Sequence, residues 1–266
     1  MSITIIGIDC AVDEKNIGVA VGEFSGECCT VLELLGRGRT QTIPQLASDF
    51  IQKSEKTLLA LDAPLGWPSS LGQALFSHSA GDAINVVSNS MFRRETDKFV
   101  KSEYGKQPLD VGADRIARTA LAALELLGSI KELTGLEIPL AWEPDYPEKA
   151  AAIEVYPAGS LVSYGLTPVG YKKKEQREVR QDILKGLRKH AQLPSDLTLA
   201  EEDANVLDAI ICVLAGRDFL AGNALAPAAL DEAKKEGWIW IKRKSNAWGK
   251  GVDSTFVRQN VPCSSG

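Results

Sequence analysis

The chain has 266 residues, 44% apolar and 24% charged, with a formal net charge of −5. That length and composition can fill the core of one α/β domain spanning residues 1–266, while the mild acidity excludes a protein that coats nucleic acid by bulk attraction and leaves room for local basic patches. No uncharged apolar run of about 18 residues exists, and the N-terminal apolar run is short, lacks a basic flank and is broken by Asp9, so a soluble cytoplasmic protein without membrane span or signal peptide is expected.

Residues 3–9 read as a strand apolar on both faces, as in the middle of a sheet, yet it ends in a carboxylate, Asp9. A turn over 10–16 and a second strand over 17–24 make a hairpin with Asp9 at its mouth, where it serves either chemistry or as a turn residue capping its own backbone. A third strand over 28–35 completes a meander. Thr42 can then cap a helix with Pro44 in its first turn and Leu46, Phe50 and Ile51 on its apolar side. That helix leads to a fourth strand, 57–62, again apolar on both faces and again ending in a carboxylate, Asp62. Two buried strands joined by a crossover helix should lie parallel and adjacent, bringing Asp9 and Asp62 to one edge. Like charges there are costly unless a cation sits between them.

Residues 64–110 break this rhythm and read as a long, irregular or partly helical insert. Within it Arg93, Arg94 and Asp97 form either a phosphate clamp or a charged surface turn. Helical periodicity returns over 112–128, with Ile116, Ala120, Leu124 and Leu127 inward, and Arg115 and Arg118 share a side that faces the sheet edge or water. A loop over 129–149 precedes a fifth strand, 151–157, whose single charge, Glu154, is a third acidic candidate or a half-exposed edge position.

Residues 171–189 carry eight basic against three acidic side chains, Lys172 and Lys173 among them. The segment 171–190 therefore reads as a basic helix, either solvated and laced with i,i+4 pairs or fitted to phosphates. A second helix is expected from about Thr198, which has the T-x-x-E spacing with Glu201, toward Gly222. Its middle, 204–215, is apolar almost all round and therefore buried, and Asp208 lies inside it. A buried lone carboxylate requires an Arg or a metal, and Asp9 and Asp62 favour the metal. Asn205 shares the Asp208 side, whereas Asp203 falls on the side of Leu207 and Ile210, where the helix dipole alone would welcome an acid. Residues 237–242 read as a short strand before a frayed Gly/Ser tail.

Taken together, Gly7-Ile8-Asp9, Leu61-Asp62-Ala63-Pro64-Leu65-Gly66, Arg94-Glu95-Thr96-Asp97, Glu154-Val155-Tyr156-Pro157 and Asp208-Ala209-Ile210 resemble the segments of a family of uncharacterised prokaryotic proteins predicted to be nucleases. The resemblance spans Ile5 to Ile241 and rests on the order of short motifs. It implies a ribonuclease H-like α/β fold: a mixed five-stranded sheet, with a three-strand antiparallel meander plus parallel strands, flanked by helices and carrying a long insert after the fourth strand. It further implies a divalent-metal-dependent nuclease whose catalytic acids fall on Asp9, Asp62 and Asp208, with nucleic acid as substrate. Related junction resolvases often carry two acids three apart on the last helix; here Asn205 stands three before Asp208, so a second ion would need Asn205, Asp203 or Glu154. All-oxygen ligands suit Mg²⁺ or Mn²⁺, one or two ions, with the basic residues above on the phosphate backbone. Two rival readings remain: an actin- or sugar-kinase-like ATP-dependent phosphotransferase, which Asp9 followed by Lys15 and Gly18 faintly suggests, and an inert nucleic-acid-binding or scaffold domain.

Overall fold

The computed structural model describes residues 2–112 and 114–244 of the chain. Its central strand is β1 (Ser2–Asp9), flanked by antiparallel β2 (Gly18–Ser25) and parallel β4 (Thr57–Asp62); β3 (Cys28–Leu35) and β5 (Ala150–Glu154) are the outer strands, giving the order β3-β2-β1-β4-β5. β1 and β4 are apolar on both faces because each face is covered. On one, Ile6, Ile8, Leu59 and Leu61 pack against α1 (Ile43–Lys53) and α5 (Asp114–Thr134). On the other, Ile5, Leu58 and Ala60 meet α9 (Ala204–Leu220). Thr42 caps α1 in a reciprocal box with Gln45, as its spacing and Pro44 lead one to expect.

α9 is apolar all round because it lies between that sheet face and three outer helices, α6 (Pro157–Ser163), α7 (Arg177–Leu187) and α8 (Thr198–Glu202). It sits closer to the sheet than side chains would ordinarily allow. A methyl group on Gly7 would collide with the Ala209 carbonyl oxygen, and one on Gly18 with that of Asn205. The two glycines thus let the backbone of α9 rest directly on β1 and β2.

The insert between β4 and α5 contains three short helices, α2 (Ser69–Phe76), α3 (Ser88–Phe92) and α4 (Glu95–Tyr104). α5 outruns its expected end at 128, since Gly128 faces open space and does not interrupt it; it stops before Gly135, whose φ of 67° suits the residue after a helix. Its inward residues are Ala120, Ala123, Leu126 and Ile130, whereas Leu124, expected inward, is exposed. The expected helix over 171–190 forms only across α7, and 171–176 is irregular. The long helix expected from Thr198 is broken at Asp203: Thr198 does not cap α8, its amide donating instead to Asp196, and Asp203 caps α9. Residues 237–242, expected as a strand, make two isolated bridges instead, Ile239 with Glu154 at the end of β5 and Lys242 with Ala224; α10 (Leu230–Glu236) precedes them in the chain. The expected frayed tail lies outside the described residues. Among the described residues no helix is long and apolar enough to cross a membrane.

Candidate metal centre

Three carboxylates meet where β1, β4 and α9 end or begin. Asp9 and Asp62 close their strands as direct register partners. Strand alternation puts each on the α9 face, Asp9 with Ile5 and Gly7, and Asp62 with Leu58 and Ala60. The close seat of α9 over Gly7 brings Asp208, one residue before Ala209, against the same spot. One oxygen from each of Asp9, Asp62 and Asp208 lies within 4.8 Å of the other two. Asp208 is wholly buried and Asp9 nearly so.

Burial is the main electrostatic fact of the cluster. It raises the Asp9 carboxyl well above the carboxylate range, with the charges of Asp208 and Asp62 adding to the effect. It pushes Asp62 up to about 7, against the opposing pull of Lys172 and with a further push from Asp208. Asp208 is raised by burial in spite of Lys172 and Tyr171. The Tyr171 hydroxyl donates to Asp208 Oδ1 at 2.7 Å, and Lys172 Nζ lies 2.7 Å from Oδ2. That second contact is an ion pair, and apart from it Oδ2, fully enclosed, has no hydrogen-bond partner. The neighbouring thiols of Cys10 and Cys212 are pushed up by burial and by these carboxylates, which keeps them protonated and leaves the oxygens as the donor set. Three converging carboxylates, one with a buried oxygen that has only the Lys172 ammonium against it, fit a hard divalent cation such as Mg²⁺ or Mn²⁺.

The other acids expected at the site are engaged elsewhere. Glu154 lies beside Leu61 in register but, by alternation, on the face opposite Asp62. Its oxygens accept two hydrogen bonds from the Arg94 guanidinium, at 2.7 and 2.8 Å, and one from the Leu65 amide at 3.0 Å. Arg94, also buried, holds Asp97 in turn at 2.9 and 3.2 Å, so these two residues, read as part of a phosphate clamp or of a charged surface turn, form an internal ion network joining the insert to β5. Asn205 Nδ2 donates to the Asn16 carbonyl at 2.7 Å, tying α9 to the β1–β2 connection. Asp203 caps α9 through the Asn205 amide and faces Arg37 at 3.8 Å. Neither belongs to the three-carboxylate group.

Among the basic candidates, Arg93 pairs with Asp110 at 2.9 Å, half-buried. Arg115 and Arg118 are exposed on the first turns of α5, and Lys173 is exposed beside Lys172. Of these, Lys172 contacts the cluster, at Asp208. Two residues of this region escape sequence reasoning, Tyr171 and Arg180. Tyr171 reads as the edge of a basic run, and only its aromatic body beside so many charges hints that it is buried. Arg180 looks like one more exposed cation, yet it is 1% exposed and bonds four backbone carbonyls, those of Tyr171, Lys173, Lys174 and Glu201.

The fold and this cluster define an α/β protein with three converging carboxylates, a group that could hold a metal ion, at one edge of a mixed sheet. Residues 7–232 match the family described as Protein of unknown function (DUF429), and the chain belongs to that family. No curated protein matches the chain.

Proposed function

We propose that this chain is a divalent-metal-dependent nuclease of ribonuclease H-like fold that hydrolyses phosphodiester bonds of DNA or RNA. The observation that carries the reading is the convergence of Asp9, Asp62 and Asp208 from two parallel strands and a distant helix onto one point. The strand order β3-β2-β1-β4-β5, a meander followed by two parallel strands, is in keeping with that fold. Burial speaks in the same direction, because three acids crowded in a dry recess are costly without a cation and useful with one.

In this reading Asp9, Asp62 and Asp208 hold Mg²⁺ or Mn²⁺, whose chemistry when bound is Lewis-acid polarisation of a phosphodiester oxygen. The chain's own residues do the rest. Tyr171 fixes the Asp208 carboxylate by its hydrogen bond, leaving Oδ2 for the cation. Lys173, exposed next to Lys172 in the chain, and the other exposed cations of the 171–189 segment meet the phosphate backbone without reading sequence. Asn205 and Asp203 have structural partners, which favours one ion over two.

The test is a panel of labelled single-stranded, duplex and branched DNA and RNA incubated with Mn²⁺, with and without chelator. Cleavage that needs the metal and falls to background in Asp9→Asn is expected. Undiminished cleavage in that variant overturns the assignment. ATP hydrolysis with no cleavage of any nucleic acid points instead to a phosphotransferase.

A further inference from the structure

Lys172 differs from the other cations of its segment. The backbone beneath it is fixed: the buried Arg180 guanidinium donates to the carbonyls of Tyr171 at 2.6 Å, Lys173 at 2.8 Å and Lys174 at 3.2 Å, and Tyr171 is itself anchored on Asp208. From that clamped position the side chain reaches inward until Nζ stands 2.7 Å from Asp208 Oδ2, while 58% of the side chain stays exposed. The ammonium also lowers the pKa of Asp9 and Asp62, so its charge acts on all three acids. The oxygen it approaches is fully enclosed and has no other partner.

We propose that the Lys172 ammonium is a tethered counter-ion occupying the cation seat of Asp9, Asp62 and Asp208 in the metal-free chain, and that a divalent ion binds by expelling it toward solvent. The proposal rests on the metal-centre reading above and adds a competitor to it. A single positive charge undercompensates three carboxylates, and a divalent ion compensates them better. Both cations require Asp208 Oδ2 within contact distance, and two cations in contact there repel. The lysine stem has four rotatable bonds and a solvent-exposed flank, so the ammonium can leave while the Arg180 clamp holds the backbone. Once outside it remains at the mouth of the recess, where it meets an anionic phosphate.

A competitor of this kind lowers apparent metal affinity by the fraction of chains whose seat is free. Titration calorimetry with Mn²⁺ at pH 8 should therefore show Lys172→Met binding at least about tenfold more tightly than the wild-type chain. Lys174→Met, on the same clamped segment and exposed, should be unchanged. A wild-type measurement stands beside it in case the variant fails to fold. Amine-reactive labelling read by peptide mass spectrometry should show Lys172 modification rising several-fold when Mn²⁺ is added, with Lys174 unchanged. Equal or weaker Mn²⁺ binding by Lys172→Met, or labelling indifferent to the metal, overturns the counter-ion role and leaves the metal centre standing. Absence of Mn²⁺ binding in wild type and variant alike removes the metal centre and the counter-ion role together.

Discussion

Glu154 shows how one residue's partners decide its role. It is an acid in a strand beside Asp62, and its chemistry would suit a metal, but Arg94 takes both of its oxygens and Leu65 shares one. Glu154→Gln would leave the Arg94 guanidinium, 1% exposed, with Asp97 as its remaining carboxylate. Breaking a buried pair from one side costs about 3–5 kcal/mol, so urea melts should show a loss of that order. Adding Arg94→Met should not recover the loss, since it strands the buried Asp97 carboxylate in place of the guanidinium. If Glu154 instead acts at the metal, the single variant would keep its stability and lose Mn²⁺ affinity.

At the scale of elements, the site depends on how closely α9 approaches β1. Gly7 and Gly18 permit that approach, and Asp208 reaches Asp9 because of it. Gly7→Ala forces a methyl group against the Ala209 carbonyl, which must retreat. Overpacking of this kind costs about 1–3 kcal/mol. The helix should carry Asp208 away with it, so calorimetry should show Mn²⁺ binding weakened in chains that remain folded. Unaltered Mn²⁺ affinity in Gly7→Ala would mean that the cluster does not depend on this contact. The break of the long helix at Asp203 belongs to the same scale: by starting α9 afresh with its own cap, it sets which residues of the helix face the sheet.

The whole molecule feels the cluster through pH. Asp62 has a folded-state pKa of about 7 against an ordinary value of 3.8, and Asp9 is raised in the same direction. Between those values the folded chain keeps a proton that the unfolded chain has released, so metal-free stability falls as pH rises from about 4 to 7. Thermal melts without metal should give a lower Tm at pH 8 than at pH 5, with each kcal/mol worth about 2–4 °C in a chain of this size class. Mn²⁺ should raise Tm at pH 8 and much less at pH 5, where the carboxyls hold protons. Asp9→Asn should flatten the pH dependence and abolish the metal-induced rise. A metal-free Tm that climbs across the window would contradict the burial of these acids.

The strands, the α1 cap and the pairing of Asp9 with Asp62 were legible in the sequence, because apolar runs ending in carboxylates and a crossover helix leave few ways to build a sheet. Asp208 was legible as well, since an acid inside an all-apolar helix demands a partner. The extent of α5 was not, because Gly128 signals a stop that its exposed position makes unnecessary. Nor was the division of labour among charged side chains: Arg94 and Arg180 look like surface cations and are buried ties, while Lys172 looks like the lysines after it and reaches Asp208. Sequence determines which elements form and where along each a charge sits, through local periodicity. Which charges meet is decided by the tertiary structure, because partners such as Arg94 and Glu154 lie far apart in the chain and only the packing of the insert against β5 brings them together.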